Sequence, residues 1–386
     1  MRVPSVAGAI VQQRAASLWP YKLVAYILEG LVSRFPPSEF NLQTNTAVTS
    51  IAPVLSGGDS KWKWEVTTAR GRILTRQLLL ATNGYTSHLL PQMSDLVVPV
   101  RGQISALLPP ETETAPLNLK LNHSYVFASQ KGPTTPWRED YMVQRPLSST
   151  TTPNTNKGEF IFGGGRGLAH NKGINSSHDD VVEPAVAAFL SSHLSPPLDL
   201  SPDETIITPN NDSTTAPDDN STRNNNITPD DNSTPNPNAP NCTQHDLLPT
   251  SSWTGIMAYS RDHCPWVGPV PSTLIPSLPS PSPKTGLFVC AGYTGHGMPN
   301  AALSAHAVVG MMRTRSDPQT DIGTGAETVV GDRDRYVLPE EYVISEERVK
   351  RVRGGMDTVE EAQGKDVWLE AFPGLRSTEG EREVIG

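Results

Sequence analysis

The chain has 386 residues, of which 36% are hydrophobic and 18% charged, and its formal net charge is −9. This acidic balance argues against a nucleic-acid partner, which requires a basic surface, and no apolar run reaches the roughly 18 residues that a membrane span needs. The length allows two domains, and Cys242, Cys264 and Cys290 have no metal-type spacing, so we expect a reducing, cytoplasmic location without disulfides or bound metal.

The first part of the chain predicts a helix, a strand meander and one buried strand. Apolar residues recur on one broad face of the helix, so we expect that face to pack on a sheet. The buried strand ends in the small residues Thr82, Asn83 and Gly84. The predicted bounds are about 20–35 for the helix, 47–51 and 61–67 for two strands joined by a turn at 57–59, and 77–82 for the buried strand.

The middle of the chain predicts an antiparallel sheet that a long insertion interrupts. Beyond 195 the composition changes to Pro, Asn, Asp, Ser and Thr, and too little apolar surface remains to offset an ordering entropy of roughly 1–2 kcal/mol per residue. We therefore expect a disordered insertion at about 196–249. Its sequons leave glycosylation as an alternative, although such a composition generates sequons by itself. The predicted strands are 103–108, 141–145 and 159–163, and a helix is predicted at 181–194.

A glycine-rich turn follows a short apolar strand predicted at 287–289. It runs from Gly292 to Met298, and Pro299 suits the first turn of a helix that extends through Ala307. The N–H groups and the positive dipole end of such a helix stabilise anions, including the negative charge that collects at N1 and C2=O of a reduced isoalloxazine. Taken alone, the turn is also compatible with an ordinary strand-to-helix connection. After Met312 we expect a linker at 313–335, a docked helix within 336–353 and a loose tail.

Four blocks of the sequence together carry a resemblance to a known family. Their order and spacing resemble the FAD-dependent D-amino-acid oxidase and sarcosine or glycine oxidase superfamily from about Ala15 to Met312, and most of all gamma-glutamylputrescine oxidases. The resemblance implies a mixed α/β fold with an α+β substrate domain, in which a mostly antiparallel sheet accompanies an incomplete Rossmann-like FAD-binding domain. The blocks are 77–86, 97–103, 253–268 and 286–299.

The same resemblance implies a division of the chain. Residues 1–96 correspond to the back half of the FAD-binding domain, and 256–315 to its C-terminal part. The substrate domain takes 97–255, including the insertion, and 316–386 supply the linker, docked helix and tail.

Non-covalent FAD is the cofactor that the resemblance implies. The glycine-rich turn corresponds to the segment that wraps the flavin pyrimidine edge, the end of the buried strand lies near the diphosphate and ribose, and a crossover segment lies beside the ring. Without the resemblance, His296 is equally an ordinary turn histidine and Arg101 a surface ion-pair partner. The candidate cofactor residues are Thr82, Asn83, Gly84, Arg101, Gly102, Gln103, Gly292, Gly295, His296, Gly297 and Met298.

The implied substrate is a small amine or amino acid. Its candidate contacts are Tyr141, Arg166 and Tyr259, while Trp253 is expected to serve in core packing. Enzymes of this type pass a hydride from the carbon that bears nitrogen to flavin N5 and reoxidise the flavin with O2. Because the flavin performs this chemistry, no acid–base triad is expected.

One family feature is absent from the sequence. Family members open with a strand and a Gly-x-Gly-x-x-Gly turn that binds the ADP part of FAD, and the chain contains no such motif. The glycines at 163–167 lack the required spacing and predict a sheet turn. Two hypotheses remain open: an FAD-dependent amine or amino-acid oxidoreductase, and a truncated, inactive fragment of one that does not bind FAD. The sequence gives no indication of the oligomeric state.

Overall fold

The computed structural model describes residues 2–4, 6, 8–54, 63–110, 120–129, 138–146, 158–195, 197–200, 246–276, 278, 285–316, 327–330, 334–355 and 357–359. These residues form a mixed α/β fold whose sheets are largely antiparallel, which confirms the predicted fold class. The turn predicted at 57–59, Trp62, Cys242 and the sequons lie outside the described residues.

The described part of the chain contains thirteen strands and five α-helices. In chain order the strands are β1 (Val48–Pro53), β2 (Trp64–Thr68), β3 (Gly71–Thr75), β4 (Leu78–Leu80), β5 (Val97–Leu107), β6 (Tyr125–Ser129), β7 (Arg138–Gln144), β8 (Phe160–Gly163), β9 (Pro249–Ser260), β10 (Trp266–Pro269), β11 (Leu287–Ala291), β12 (Glu327–Val330) and β13 (Asp334–Val337). The helices are α1 (Pro20–Arg34), α2 (Thr86–Leu89), α3 (Pro184–Ser192), α4 (Gly297–Ser316) and α5 (Glu346–Gly355).

The largest sheet has five strands in the order β6-β7-β8-β5-β9, and every neighbouring pair is antiparallel. Its two longest strands, β5 and β9, pair from Val97 opposite Ser260 to Leu107 opposite Pro249. The predicted domain boundary at 255/256 falls inside β9, and the division of the chain into domains remains a prediction.

A second sheet has the order β10-β11-β4, in which β4 runs parallel to β11 and β10 runs antiparallel to it. All five residues of β11 are buried. Such a continuous apolar run is typical of a strand that is covered on both faces. The parallel pair matters for function, because ligands of open α/β sheets bind outside the carboxyl ends of parallel strands.

The meander β1-β2-β3 forms a side sheet that is fastened to the second sheet. The alternation of β2 buries Trp64 and Val66 on one face, as predicted. The indole N–H of Trp64 donates to the carbonyl oxygen of Thr285 at 2.8 Å. This bond joins the side sheet to the start of β11.

Helix α1 differs from its prediction. Its bounds agree with the sequence pattern, but none of its residues is buried, and Val24 and Ile27 are about half exposed. The expectation that its apolar face packs on a sheet is therefore wrong for the described residues.

Two further predictions are corrected. The ends of the predicted insertion at 196–249 belong to the core, because Leu198, Leu200 and Leu247 are buried, while 201–245 lie outside the described residues. The predicted linker at 313–335 contains the end of α4 and most of the hairpin β12-β13. In the part of the chain that the structure describes, no helix is both long and apolar enough to cross a membrane.

Candidate functional site

The glycine-rich turn connects β11 to α4 at the carboxyl end of the second sheet. Gly292 has φ +82° and Gly295 has φ +79°, values of the left-handed region in which a side chain is strained. Between them, the N–H of Thr294 donates to the carbonyl oxygen of Ala258 at 2.7 Å, and its hydroxyl oxygen accepts the N–H of Ser260 at 3.0 Å. The turn is thus anchored on the end of β9.

The end of β4 contacts this turn directly. The amide oxygen of Asn83 accepts the N–H of Gly292 at 3.1 Å. A Cβ on Gly84 would lie 2.8 Å from both Ile256 Cγ2 and the carbonyl oxygen of Met257, so this glycine permits a close approach to β9. The hydroxyl of Thr82 is 2.9 Å from that of Thr86. The structure therefore brings the predicted segments 82–84 and 292–297 to one edge of the sheet.

The tip of the turn is open. Gly295, His296 and Met298 are exposed, whereas Gly292 is buried. The nearest heavy atom to a Cβ built on Gly295 is the hydroxyl oxygen of Tyr259, at 3.9 Å. A flat group therefore has room to approach the backbone of Gly295 at the first turn of α4, which begins at Gly297.

The crossover residues of β5 have partners inside the protein. Arg101 forms an ion pair with Glu183, and its side chain is only 10% exposed. The side chain of Gln103 donates to the carbonyl oxygen of Glu183 at 3.2 Å and accepts its N–H at 2.8 Å. Gly102 lies beside Met257, whose Cε is 3.0 Å from the position of a Cβ. The two side chains thus fasten the segment that leads into α3, and Arg101 is a largely buried ion-pair partner.

A small cavity lies next to these crossover residues. Arg101, Gly102 and Gln103 line it together with Gly164 and Arg166. The cavity therefore connects the crossover segment to one of the predicted substrate residues.

The three predicted substrate residues lie together on the face of the large sheet. The guanidinium carbon of Arg166 is 4.7 Å from the ring centroid of Tyr259, an arrangement in which the cation contacts the face of the ring. The ring of Tyr141 lies over Gly163, where its Cζ would be 2.5 Å from an added Cβ. Burial raises the pKa of Tyr259, and Arg166 opposes that shift.

Glu139 belongs to the same cluster, although it was not among the site residues predicted from the sequence. Its carboxylate is 3.7 Å from the Nη2 of Arg166. Burial raises the pKa of Glu139, while Arg166 and His296 act in the opposite direction, so the carboxylate is electrostatically coupled to the glycine-rich turn. The alternation of β7 was an available signal, since it places Glu139 on the same face as Tyr141.

A second histidine stands near His296. His263 has φ +62° in the connection between β9 and β10. Burial lowers its pKa, Asp262 raises it, and His296 contributes a further lowering. His263 was also not predicted as a site residue, because its proximity to His296 arises from the tertiary fold.

Two other sequence expectations concern packing and metals. Trp253 is 40% exposed, so the expected core-packing role is wrong. Among the described residues, no group of three or more His, Cys, Asp or Glu side chains is arranged to hold a metal ion. Cys264 and Cys290 are free thiols. The thiol of Cys290 is 2.9 Å from the hydroxyl of Tyr293, and burial raises its pKa.

One model of a known protein family matches most of the chain, including the candidate site. The family model described as DAO, FAD dependent oxidoreductase, matches residues 1–311. This range includes the turn, the end of β4, the crossover segment and the cluster around Arg166. No curated protein matches the chain.

Several solved structures are similar to the chain at low identity. The glycine oxidase from Geobacillus kaustophilus shares 16% identity with a TM-score of 0.39, and the match covers 69% of this chain and 48% of that one. NikD, an amino acid oxidase essential for nikkomycin biosynthesis, shares 15% identity with a TM-score of 0.40, and the match covers 70% of this chain and 52% of NikD. Amadoriase I from Aspergillus fumigatus shares 12% identity with a TM-score of 0.35, and the match covers 72% of this chain and 47% of Amadoriase I. The chain spans about half the length of these solved structures.

Proposed function

Because the chain belongs to the DAO family of FAD-dependent oxidoreductases, we propose that it oxidises the CH–NH bond of an amine or amino acid. The products are an imine and, with O2 as electron acceptor, hydrogen peroxide. When bound, FAD supplies the hydride acceptor at its N5 atom. A substrate range related to that of gamma-glutamylputrescine oxidases is part of this proposal.

The observation that carries the proposal is the contact between the glycine-rich turn and the end of β4. The hydrogen bond from Gly292 to Asn83 aligns both segments at the carboxyl ends of two parallel strands. The exposed backbone of Gly295, where an added Cβ has no neighbour nearer than 3.9 Å, fits the edge of a flat ring. The residues present therefore fit the pyrimidine edge of a flavin.

In this proposal the turn stabilises negative charge without a cationic side chain. Gly297 begins α4, so the positive end of the helix dipole lies at the turn. Met298 and Pro299 stand where sarcosine-oxidase-like members continue with Phe-Lys, so the sequence provides no lysine at that point. Backbone dipoles that are fixed in place stabilise developing charge at little reorganisation cost.

The cluster around Arg166 has the role of binding and orienting the substrate. Tyr141 is 45% exposed and presents an open aromatic surface beside Glu139, while Tyr259 lies under Arg166 and reaches towards Gly295. These side chains would hold the substrate carbon near the turn and exclude water from it. The proposal also retains the other cofactor contacts expected from the family resemblance, which lie along the rest of FAD: Thr82, Asn83, Gly84, Arg101, Gly102 and Gln103.

A reconstitution experiment tests the oxidoreductase proposal. The purified chain is incubated with FAD and desalted, and then mixed anaerobically with a panel of amines and amino acids. We expect bleaching of the flavin absorbance with at least one substrate, and release of peroxide when O2 is admitted. Bleaching without release of peroxide would indicate an electron acceptor other than O2. If the protein retains the flavin but no amine or amino acid reduces it, the proposal is contradicted.

A second candidate is an inactive member of the family that does not retain FAD. It is favoured by one observation, namely that the sequence contains no Gly-x-Gly-x-x-Gly motif for the ADP part of the cofactor. The desalting step distinguishes the two candidates. A folded chain that emerges colourless after incubation with excess FAD supports the inactive member.

A further inference from the structure

We propose that Arg348 is a positioning residue for the glycine-rich turn. It belongs to residues 338–352, here called the strap, which lie outside the range that the family model matches. The inference rests on the proposed function, because the turn is the proposed flavin cradle, but its test needs no flavin.

The strap is built into both faces of the second sheet. Leu338 packs in the cluster that contains Phe288 of β11, and Val349 and Val352 pack in the cluster that contains Val289. Because side chains alternate along a strand, these clusters lie on opposite faces of β11. The N–H of Ile344 also donates to the carbonyl oxygen of Val267 in β10 at 3.0 Å. The strap is therefore part of the folded core beside the turn.

Arg348 is the charged residue that the strap buries most deeply, with 2% of its surface exposed. Its Nε and Nη2 donate to the two carboxylate oxygens of Asp262 at 2.9 Å each. It also donates to the carbonyl oxygens of Cys264 and Pro265, both at 2.9 Å, and its guanidinium carbon is 3.6 Å from the ring centroid of Trp266. Arg348 thus holds three residues of the connection between β9 and β10, namely Asp262, Cys264 and Pro265.

A continuous series of contacts leads from this ion pair to the turn. Asp262 accepts the hydroxyl hydrogen of Ser260 at 2.7 Å, and the N–H of Ser260 donates to the hydroxyl oxygen of Thr294 at 3.0 Å. The carbonyl oxygen of Thr294 is 2.9 Å from the Nδ1 of His296. These hydrogen bonds are joined through the covalent frames of Ser260 and Thr294, so the orientation of Asp262 bears on the position of His296.

The geometry requires arginine at this position. A guanidinium donates two parallel hydrogen bonds to one carboxylate and others to carbonyl groups at the same time, whereas an ammonium acts as a point charge. Lysine at 348 would retain the charge and lose the fork that sets the angle of the Asp262 carboxylate. The connection between β9 and β10 would then readjust, and with it the anchor of Thr294.

The test compares R348K with R353K in flavin-free protein that carries 13C at the Cε1 position of histidine. Arg353 lies on the same helix and forms a two-point ion pair with Asp95, but its side chain is 39% exposed. Signals of His263 and His296 are assigned with H263Q and H296Q. We expect R348K to shift the signals of both histidines, R353K to leave them in place, and His88 and His123 to stay unchanged in both variants.

Three outcomes overturn the inference. R348K protein that is folded by circular dichroism and keeps every histidine signal at its wild-type position shows that Arg348 is only a packing element. A shift of His263 without one of His296 shows that the contacts do not reach the turn. A shift that R353K reproduces shows that the fork of Arg348 is not specifically responsible, because Asp95 also pairs with Arg261 in the same connection.

A second variant covers the case in which R348K does not fold. R348M/D262N removes the buried pair without leaving one charge alone, a replacement that folded proteins tolerate better than the loss of a single partner. We expect its His296 signal to be displaced relative to wild type. A signal at the wild-type position would overturn the inference, whether or not the protein binds flavin.

Discussion

Single residues at the candidate site carry more than one structural task. Asn83 accepts a hydrogen bond from Gly292 and has φ +43°, in the left-handed region. Asparagine tolerates this backbone conformation better than most other residues with a side chain. The same residue thus shapes the end of β4 and fastens the turn to it.

Replacing Asn83 by alanine tests this double role. N83A leaves the buried N–H of Gly292 without its acceptor, and we expect the free energy of unfolding to fall by about 1–3 kcal/mol. N83D keeps an acceptor oxygen and the tolerance for the left-handed region, and serves as the matched control. Urea unfolding measures both variants, and equal stability of N83A and N83D would contradict the role of the hydrogen bond.

The environment of the Glu139 carboxyl group predicts that stability depends on pH. Burial raises its pKa in the folded protein, and Arg166 only partly offsets this effect. A carboxyl group with a raised folded pKa contributes stability that is complete below the unfolded pKa and is lost as pH rises through the folded pKa.

We therefore expect E139Q to gain stability relative to wild type as pH rises. The free energy of unfolding of E139Q minus that of wild type should increase from below the ordinary glutamate pKa of about 4.3 to neutral pH. Urea unfolding at a series of pH values measures this difference, and E340Q, at an exposed position outside the cluster, is the control. A difference that stays constant or decreases with pH would argue against a buried carboxyl at this position.

At the scale of elements, the sequence predicted those whose pattern is local. Strands β4 and β11 are short apolar runs that end in small residues or glycine, and α4 starts at a glycine with a proline in its first turn. Each of these signals lies within a few residues of the element. The mutual approach of β4 and the turn followed from the family resemblance rather than from local pattern.

Other elements and residues were missed because their cause is not local. Strand β3 is largely exposed and contains little apolar alternation, and the hairpin β12-β13 lies in a stretch without apolar periodicity. Glu139 and His263 can be recognised as site residues only from contacts with residues that are distant in sequence. Helix α1 shows the opposite failure, since its amphipathic pattern predicts a buried face that the structure does not show.

The attachment of the side sheet gives a prediction at this scale. W64F removes the indole N–H that bonds to Thr285 and leaves a buried carbonyl oxygen unpaired, so we expect a loss of about 1–3 kcal/mol in the free energy of unfolding. W253F, at a tryptophan that is 40% exposed, should stay within about 0.5 kcal/mol of wild type. Thermal or urea unfolding measures both, and a larger effect at Trp253 would contradict the assigned packing.

At the scale of the whole molecule, two sheets meet at one candidate site. The five-stranded sheet supplies Tyr141, Arg166 and Tyr259 from its strands and the turn after β8, and the second sheet supplies the end of β4 and the glycine-rich turn. Strand β9 joins them, since its final residues anchor Thr294 and carry Tyr259. This arrangement brings the proposed substrate cluster against the proposed cofactor edge.

The most direct measurement is a titration with FAD that compares wild type, G295A and G71A by flavin fluorescence. Both glycines have left-handed φ values and no neighbour nearer than 3.9 Å to an added Cβ, so alanine strains the backbone at both, but Gly71 lies on the side sheet. We predict that wild type and G71A bind FAD alike and that G295A binds about tenfold more weakly, because its methyl group intrudes on the ring edge. Absence of binding by folded wild type, or equal affinity of G295A and G71A, would contradict the placement of the flavin at this turn.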